Sequence, residues 1–335
     1  MLNREALLQI FQENKSTDSY LDFETKDEVS QSQSIRNREI ATSKSFNAES
    51  LDKTAELQGS ATYPIIQSML KTILKLKLLP EIKGIVVELG SGIGLLGIAL
   101  VSQDHDKDIA GVLAVEAGLP FVEKGIRLAA NELLGESANR VFPCYGTFDD
   151  LKIEDSTVDF IIQIEALHHA NDLDSALAES FRILRNGGYL ISIDRSWPDS
   201  TFRNVLEELL NHEYPKKWLE TKGFPTNETF TRRDNGEHEY LDSDWKKAFL
   251  KAGFEITSFD ILHPKITFWH LRKRIVCFFR LEKLLGIKIS SRNGIIRGLL
   301  STSMPYLANK MGGVIVTDHP RSLTLQVYKK KSISS

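Results

Sequence analysis

Apolar residues recur along this chain in two rhythms, one of helical spacing and one of short unbroken runs. From Tyr63-Pro64 the positions Ile65, Ile66, Leu70, Ile73, Leu74 and Leu78 follow a helical period until Pro80 and Gly84 stop it. Pro64 suits the first helical turn. At Ile85 the rhythm changes. Ile85-Val86-Val87 is a continuous apolar run, as expected of a parallel strand buried on both faces. A glycine loop follows, and Leu95, Leu96, Ala99 and Leu100 mark a helix. Val112 to Val115 predicts the next buried strand, with a helix from about Leu119 to Leu134.

Val158 to Ile164 predicts another strand. Leu173, Leu177, Phe181 and Leu184 then step along a helix. Asp172 or Asn171 can cap its start, Arg185 suits its last turn, and Gly187-Gly188 are expected to stop it. Tyr189 to Asp194 returns as a strand. This alternation predicts an α/β chain with a doubly wound, mostly parallel sheet and helices on both faces.

Beyond Trp197 the pattern predicts a helix over 201–222, a loop over 223–239, a helix over Ser243–Ala252 ending at Gly253, and strands at Phe254–Ile261 and Leu323–Tyr328. Residues 12–61 are polar, with scattered anchors such as Tyr20, Phe23 and Phe46, too few to fold alone. They read as a mobile extension or as a lid that orders over something else. The expected division is an N-terminal extension (1–61), a core (62–262), an insertion (263–312), and a final strand with a tail (313–335).

With 335 residues, 41% hydrophobic and 26% charged, the chain suits about two domains or one enlarged one. The net charge of −3 gives no global field to recruit nucleic acid. Only Cys144 and Cys277 are present, which excludes a disulfide scaffold and a multi-cysteine zinc site and fits a reducing compartment. No apolar run approaches the ~20 residues of a membrane helix. Met1 to Phe11 is interrupted by Glu5 and Gln9 and lacks a cleavage site, so a cytoplasmic protein is expected. No His, Asp and Glu set has metal-ligand spacing.

The charge is unevenly spread. Between Pro264 and Arg297 nine Lys and Arg face Glu282 alone, a net +8 that leaves −11 for the remainder. Apolar residues such as Phe268, Trp269, Ile275 and Phe279 interleave with them. Three readings stand: a helix with a solvated basic face, a surface for anionic lipid or a lipid-linked substrate at the edge of a membrane, and a pocket wall for an anionic group of a soluble acceptor. No RNA-binding module is recognisable.

The segment VVELGSGIGLLGIAL offers two registers. Gly92-Ile93-Gly94-Leu95-Leu96-Gly97 fits a dinucleotide fingerprint, with Glu116 near a ribose-binding position. Glu88-Leu89-Gly90-Ser91-Gly92-Ile93-Gly94 instead sets an acid before three alternate glycines. Glu88 would repel the pyrophosphate of a nicotinamide cofactor, whereas a cationic amino-acid ligand would welcome it. Glu116 is placed to accept two hydroxyl hydrogen bonds from a ribose.

These motifs, with VLAVEAG, the run DSTVDFIIQIEALHHANDLDSALAESFRILRNGGYLISID and the more distant DWKKAFLKAGFEI, resemble the class I S-adenosylmethionine-dependent methyltransferases, especially the small-molecule branch, over about residues 62–262. The resemblance implies a Rossmann-like seven-stranded sheet whose last two strands form a hairpin, with S-adenosyl-L-methionine as cofactor. It places Gly90, Gly92 and Gly94 along the methionine and ribose of that cofactor, Glu88 below the loop, Glu116 on the ribose hydroxyls, Ala117 beside the adenine and Glu165 facing the methionine end. Relatives carry Gly-Asp-Ala where this chain has Gly146-Thr147-Phe148, so the adenine contact passes to Thr147 or the backbone of Phe148, with Asp149 nearby.

Methyl transfer to a hydroxyl requires alignment and removal of a proton. His168 and His169 follow the fourth strand of the core, and either suits a general base, with a slight preference for His168; packing of the loop is the plainer role. Asp194, Arg195, His238 and Tyr240 are candidates for the acceptor side of the site, and Asp242 or Ser243 for a helix cap. The expected activity is O-methylation of a small-molecule acceptor such as a saccharide or a biosynthetic intermediate. The alternatives are a non-catalytic cofactor-binding module that docks a partner or an anionic membrane surface and, third, a nicotinamide-dependent oxidoreductase.

Overall fold

A computed structural model of the chain describes residues 1–12, 19–23, 63–75, 77–216, 219, 229–262 and 323–331. The elements are α1 (Arg4–Gln12), β1 (Leu21–Asp22), α2 (Tyr63–Lys75), β2 (Gly84–Leu89), α3 (Leu95–Gln103), β3 (Ile109–Glu116), α4 (Ile126–Leu134), β4 (Val141–Tyr145), β5 (Val158–Ile164), α5 (Leu173–Ile183), β6 (Leu184–Arg195), α6 (Arg203–Leu210), α7 (Asp242–Lys251), β7 (Phe254–Leu262) and β8 (Leu323–Lys330). The strands form one sheet in the order β1-β4-β3-β2-β5-β6-β8-β7. Pairs from β1 to β6 are parallel, and β8 runs antiparallel to both β6 and β7.

Alternate residues of each central strand enter opposite cores, which is why the strands read as unbroken apolar runs. Val87, Leu113 and Ile161 point to one face, with Leu177, Trp245, Phe249 and Tyr328. Val86, Val112 and Ile162 point to the other, with Leu70, Ile73, Ile98 and Ala99. On the first face the Phe249 and Tyr328 rings stack at 3.5 Å between centroids, fastening α7 to β8.

Several expected boundaries move. Among the described residues the sheet has eight strands rather than seven, because the two residues of β1 pair with β4. Packing also begins before residue 62. Leu7, Ile10 and Phe11 are buried, and the Phe11 ring lies where any Cβ on Gly111 would clash at 2.2 Å. Arg4 donates to Thr157 O at 2.9 Å and pairs with Asp159 at 2.8 Å. The helix expected from Leu119 opens with a single wide turn, Phe121–Gly125. Residues 13–18 and 24–62 of the expected extension, the whole 263–312 insertion and its basic stretch lie outside the described residues.

Helix α5 ends at Ile183, earlier than its glycines suggest. Leu184 is already extended, and Gly187-Gly188 lie inside β6. A Cβ on Gly188 would meet the carbonyl oxygens of Arg185 and Asp159 at 2.9 Å each, so glycine is needed there for close backbone approach. Arg185 pairs with Asp159 at 2.5 Å instead of closing the helix. Asp172 is the N-cap, accepting from the Asp174 N–H at 2.9 Å and the Ser175 hydroxyl at 2.8 Å. The helix expected over 201–222 is shorter in α6, and at α7 neither Asp242 nor Ser243 caps. The Asp244 carboxylate accepts the Leu241 N–H at 2.9 Å, and Asp242 takes the Ser196 hydroxyl.

Candidate functional site

A solvent-open crevice enclosing about 570 Å³ lies outside the carboxyl ends of the parallel strands. Its walls come from the turn after each strand: Gly90 after β2, Ala117 after β3, Thr147, Phe148 and Asp149 after β4, and His169 to Asp172 after β5. The segment after β6 adds Asn235. Open α/β sheets bind ligands at this edge because their connections diverge there.

The glycine loop is tied down from beneath. Ser91 N–H donates to Val115 O at 3.0 Å, and Gly94 N–H to Ser91 O at 2.8 Å. Gly90, Gly92 and Gly94 have φ of 61°, 55° and 79°, the left-handed region that side chains disfavour. A Cβ on Gly90 would lie 2.5 Å from the Ala166 Cβ, whereas one on Gly92 would meet nothing within 4 Å. Gly92 therefore borders open space, and Gly90 is packed.

Glu116 and Glu88 take separate tasks. Glu116 accepts the Gly92 N–H at 2.8 Å through one oxygen and the Gly118 N–H at 2.9 Å through the other. Glu88 is buried, and its carboxylate accepts the Gly97 N–H at 3.0 Å inside the first turn of α3. Burial pushes its pKa up to about 8, against the backbone hydrogen bonds that lower it. A Cβ on Gly97 would lie 2.7 Å from this carboxyl, so the third glycine of the dinucleotide register makes room for the acid.

Gly90, Ala117, Thr147 and Phe148 line the crevice as the sequence suggests, and so does Asp149, whose carboxylate takes the Thr147 hydroxyl at 2.5 Å. Glu165 follows β5 with φ of 49° and is exposed, but it is not among the lining residues.

The two histidine rings lie against each other, 4.2 Å between centroids, but differ in exposure. His169 lines the crevice, whereas His168 is 2% exposed, with Nδ1 2.7 Å from Asp194 Oδ1. Within the 3₁₀ turn over Leu167–His169, the slightly preferred His168 is thus the buried ring and His169 the one that reaches the crevice. Gln163 underpins that turn: its amide oxygen accepts the Ala166 N–H at 2.8 Å and its nitrogen donates to Asp194 at 3.1 Å.

None of the four residues expected on the acceptor side lines the crevice. Asp194 is 0% exposed and holds the His168 turn; burial raises its pKa to about 6. Arg195 is enclosed with Arg232, Glu237 and Glu239, meeting Glu237 at 2.7 Å and Glu239 at 3.3 Å. The His238 N–H donates to the His168 carbonyl at 2.8 Å, and Tyr240 packs on Trp245 at 4.8 Å between centroids. Asp194 and Arg195 do end β6, but both are buried there, and His238 and Tyr240 lie in the loop before α7. Asn235 escaped the sequence reading because it sits in a loop without a motif.

Residues 87–192 match the family described as methyltransferase domain. These residues form an S-adenosylmethionine-dependent methyltransferase domain. The methyltransferase is also similar in fold to solved structures. One is a chain of the complex between the Haloferax volcanii Trm112 methyltransferase activator and its proposed methyltransferase, at 17% identity and a TM-score of 0.51, covering 84% of this chain and 98% of that one. Another is a Galdieria sulphuraria protein proposed as a sarcosine dimethylglycine methyltransferase, at 14% identity and a TM-score of 0.50, covering 79% of this chain and 85% of that one.

S-adenosylmethionine is the methyl donor of such domains, and Gly92 and Glu116, which adjoin the crevice residues Gly90 and Ala117 in the chain without lining the crevice themselves, are compatible with it. The space above Gly92 admits a ligand against the backbone. A carboxylate accepts about four hydrogen bonds, so the two N–H groups on Glu116 are compatible with two ribose hydroxyls. Among the described residues no helix is long and apolar enough to cross a membrane, and no group of three or more His, Cys, Asp or Glu is placed to hold a metal ion.

Proposed function

We propose that this methyltransferase acts on a small-molecule acceptor and methylates an oxygen, as of a saccharide or a biosynthetic intermediate, with His169 as the general base. The supporting observation is that His169 shares one crevice with Gly90 and Ala117. The donor supplies a methyl carbon already activated by its sulfonium. The protein then has to align the acceptor and take its proton, and an imidazole suits that task near neutrality. In this reading Gly90, Gly92, Gly94 and Glu116 hold the methionine and ribose portions, Ala117, Thr147, Phe148 and Asp149 border the adenine, and Glu165 faces the methionine end. Glu88 supports the loop through Gly97 rather than touching the ligand. Asp194 and His168 form the base of the turn that carries His169.

The test is calorimetric titration with S-adenosylhomocysteine and with NADH, followed by S-adenosylhomocysteine release over methyl α-D-glucopyranoside, glycerol 3-phosphate, catechol and ethanolamine. Binding of S-adenosylhomocysteine alone with methylation of a hydroxyl compound supports the proposal. Methylation of ethanolamine nitrogen only would move the chemistry to amines. Donor binding with no product would favour the non-catalytic module.

A further inference from the structure

We infer that Asn235 determines acceptor specificity, offering its amide oxygen to a hydroxyl or amine donor of the acceptor, with Glu237 dictating which way the amide faces. This rests on the methyltransferase reading of the same crevice. Among the described residues after β6, Asn235 alone lines the crevice. Its Nδ2 donates to Glu237 Oε1 at 3.1 Å.

Glu237 is buried, and its other oxygen accepts Arg195 Nη1 at 2.7 Å and Arg232 Nε at 2.8 Å. Burial alone would push its carboxyl up. The two guanidiniums outweigh that and hold it well below the usual carboxylate range. An ionised carboxylate only accepts hydrogen bonds. The donor end of the Asn235 amide must therefore face Glu237, which turns the oxygen away from it.

The backbone reinforces this choice. Asn235 N–H donates to the carbonyls of Thr231 and Arg232 at 3.2 Å each, and Gly236 N–H to Arg233 O at 2.9 Å. The Tyr214 hydroxyl also donates to Glu237 Oε1. Buried ion pairs seldom improve on apolar packing as a source of stability. Two arginines and two glutamates enclosed behind one crevice residue are better accounted for as a device that orients it. An acceptor presenting an ether or carbonyl at that point would leave the amide oxygen unmatched, whereas a hydroxyl or amine would satisfy it.

The experiment uses the full chain saturated with S-adenosylhomocysteine. NMR of the Asn235 side-chain amide compares wild type with Glu237→Gln, whose amide both donates and accepts. Affinities for methyl α-D-glucopyranoside, glycerol 3-phosphate, catechol and ethanolamine are then compared between wild type and Asn235→Ala. The expected result is one slowly exchanging Nδ2 proton that is lost in Glu237→Gln, a shift of the Asn235 resonances by at least one of the four compounds, and about tenfold weaker binding of that compound in Asn235→Ala. S-adenosylhomocysteine affinity should stay within about twofold in both variants. Amide protons unaffected by Glu237→Gln, no compound that perturbs Asn235, or equal affinities in Asn235→Ala would overturn the inference. Failure of wild type to bind S-adenosylhomocysteine would defeat the methyltransferase reading instead, and the amide comparison without it would still decide the orientation.

Discussion

Glu116 on β3 reaches across to the loop after β2, its Oε2 standing 2.8 Å from the Gly92 nitrogen. The acid that the motif assigns to the ribose thus also fixes the peptide of the glycine it works beside. Glu116→Ala is expected to weaken S-adenosylhomocysteine binding by about tenfold to a hundredfold, because it removes a charge-assisted acceptor and frees the loop together. Calorimetric titration checks this, and an unchanged affinity would remove Glu116 from the site.

Alanine substitutions at two neighbouring glycines should separate fold from binding. At Gly90, alanine adds the left-handed backbone penalty to an overlap with Ala166 at 2.5 Å. The expected destabilisation is about 2–5 kcal/mol. At Gly92 the protein leaves room for a Cβ, so only the backbone penalty of about 1–2 kcal/mol applies. That Cβ projects into the space assigned to the donor, so Gly92→Ala should remain folded and lose binding. Denaturant melts alongside titrations compare the two.

Glu88 sets a pH dependence. Its pKa is raised by burial from the ordinary 4.5 to about 8. Across that window the folded state holds a proton that the unfolded state has released. Stability from this group is therefore full below 4.5 and declines as pH rises to about 8. Glu88→Gln removes the titration, so its thermal midpoint should fall less than that of wild type between those limits. Parallel slopes in the two proteins would show that Glu88 is not the cause.

The histidines should divide in the same way as their surroundings. His169→Ala is expected to leave folding intact and lower turnover by about 10²- to 10⁴-fold. His168→Ala opens a cavity and removes one partner, at 2.7 Å, of Asp194, which is 0% exposed and keeps the Gln163 amide and the Arg195 N–H. It should cost about 1–3 kcal/mol of stability. Thermal denaturation and methyl-transfer rates on the same preparations distinguish them; equal stability of both variants would contradict the burial of His168.

The order of strands and helices from Ile85 to Asp194 was legible because each strand is buried on both faces and each helix on one, and burial writes itself into the sequence as run and period. The glycine loop, Glu88 and Glu116 were legible for a related reason. Positive φ and close backbone approach permit few residue types, so the motif is local. The end of α5 was not legible, since Leu184 continues the helical spacing while its backbone already belongs to β6. The N-terminal anchors were equally hidden: Phe11 and Phe23 become core residues only where Gly111 and Gly146 lie against them.

The sequence by itself determined the order of the sheet, its methyltransferase domain and the edge at which the crevice opens, because those follow from patterns within a few residues of chain. Only the tertiary structure decided which side chains at that edge face the crevice. His169 rather than His168, and Asn235 rather than Arg195 or His238, line it. Direction there depends on contacts between segments far apart in the chain, such as Gln163 and Asp194 beneath one turn or Arg195 and Glu237 behind another, and no local pattern of residues records such contacts.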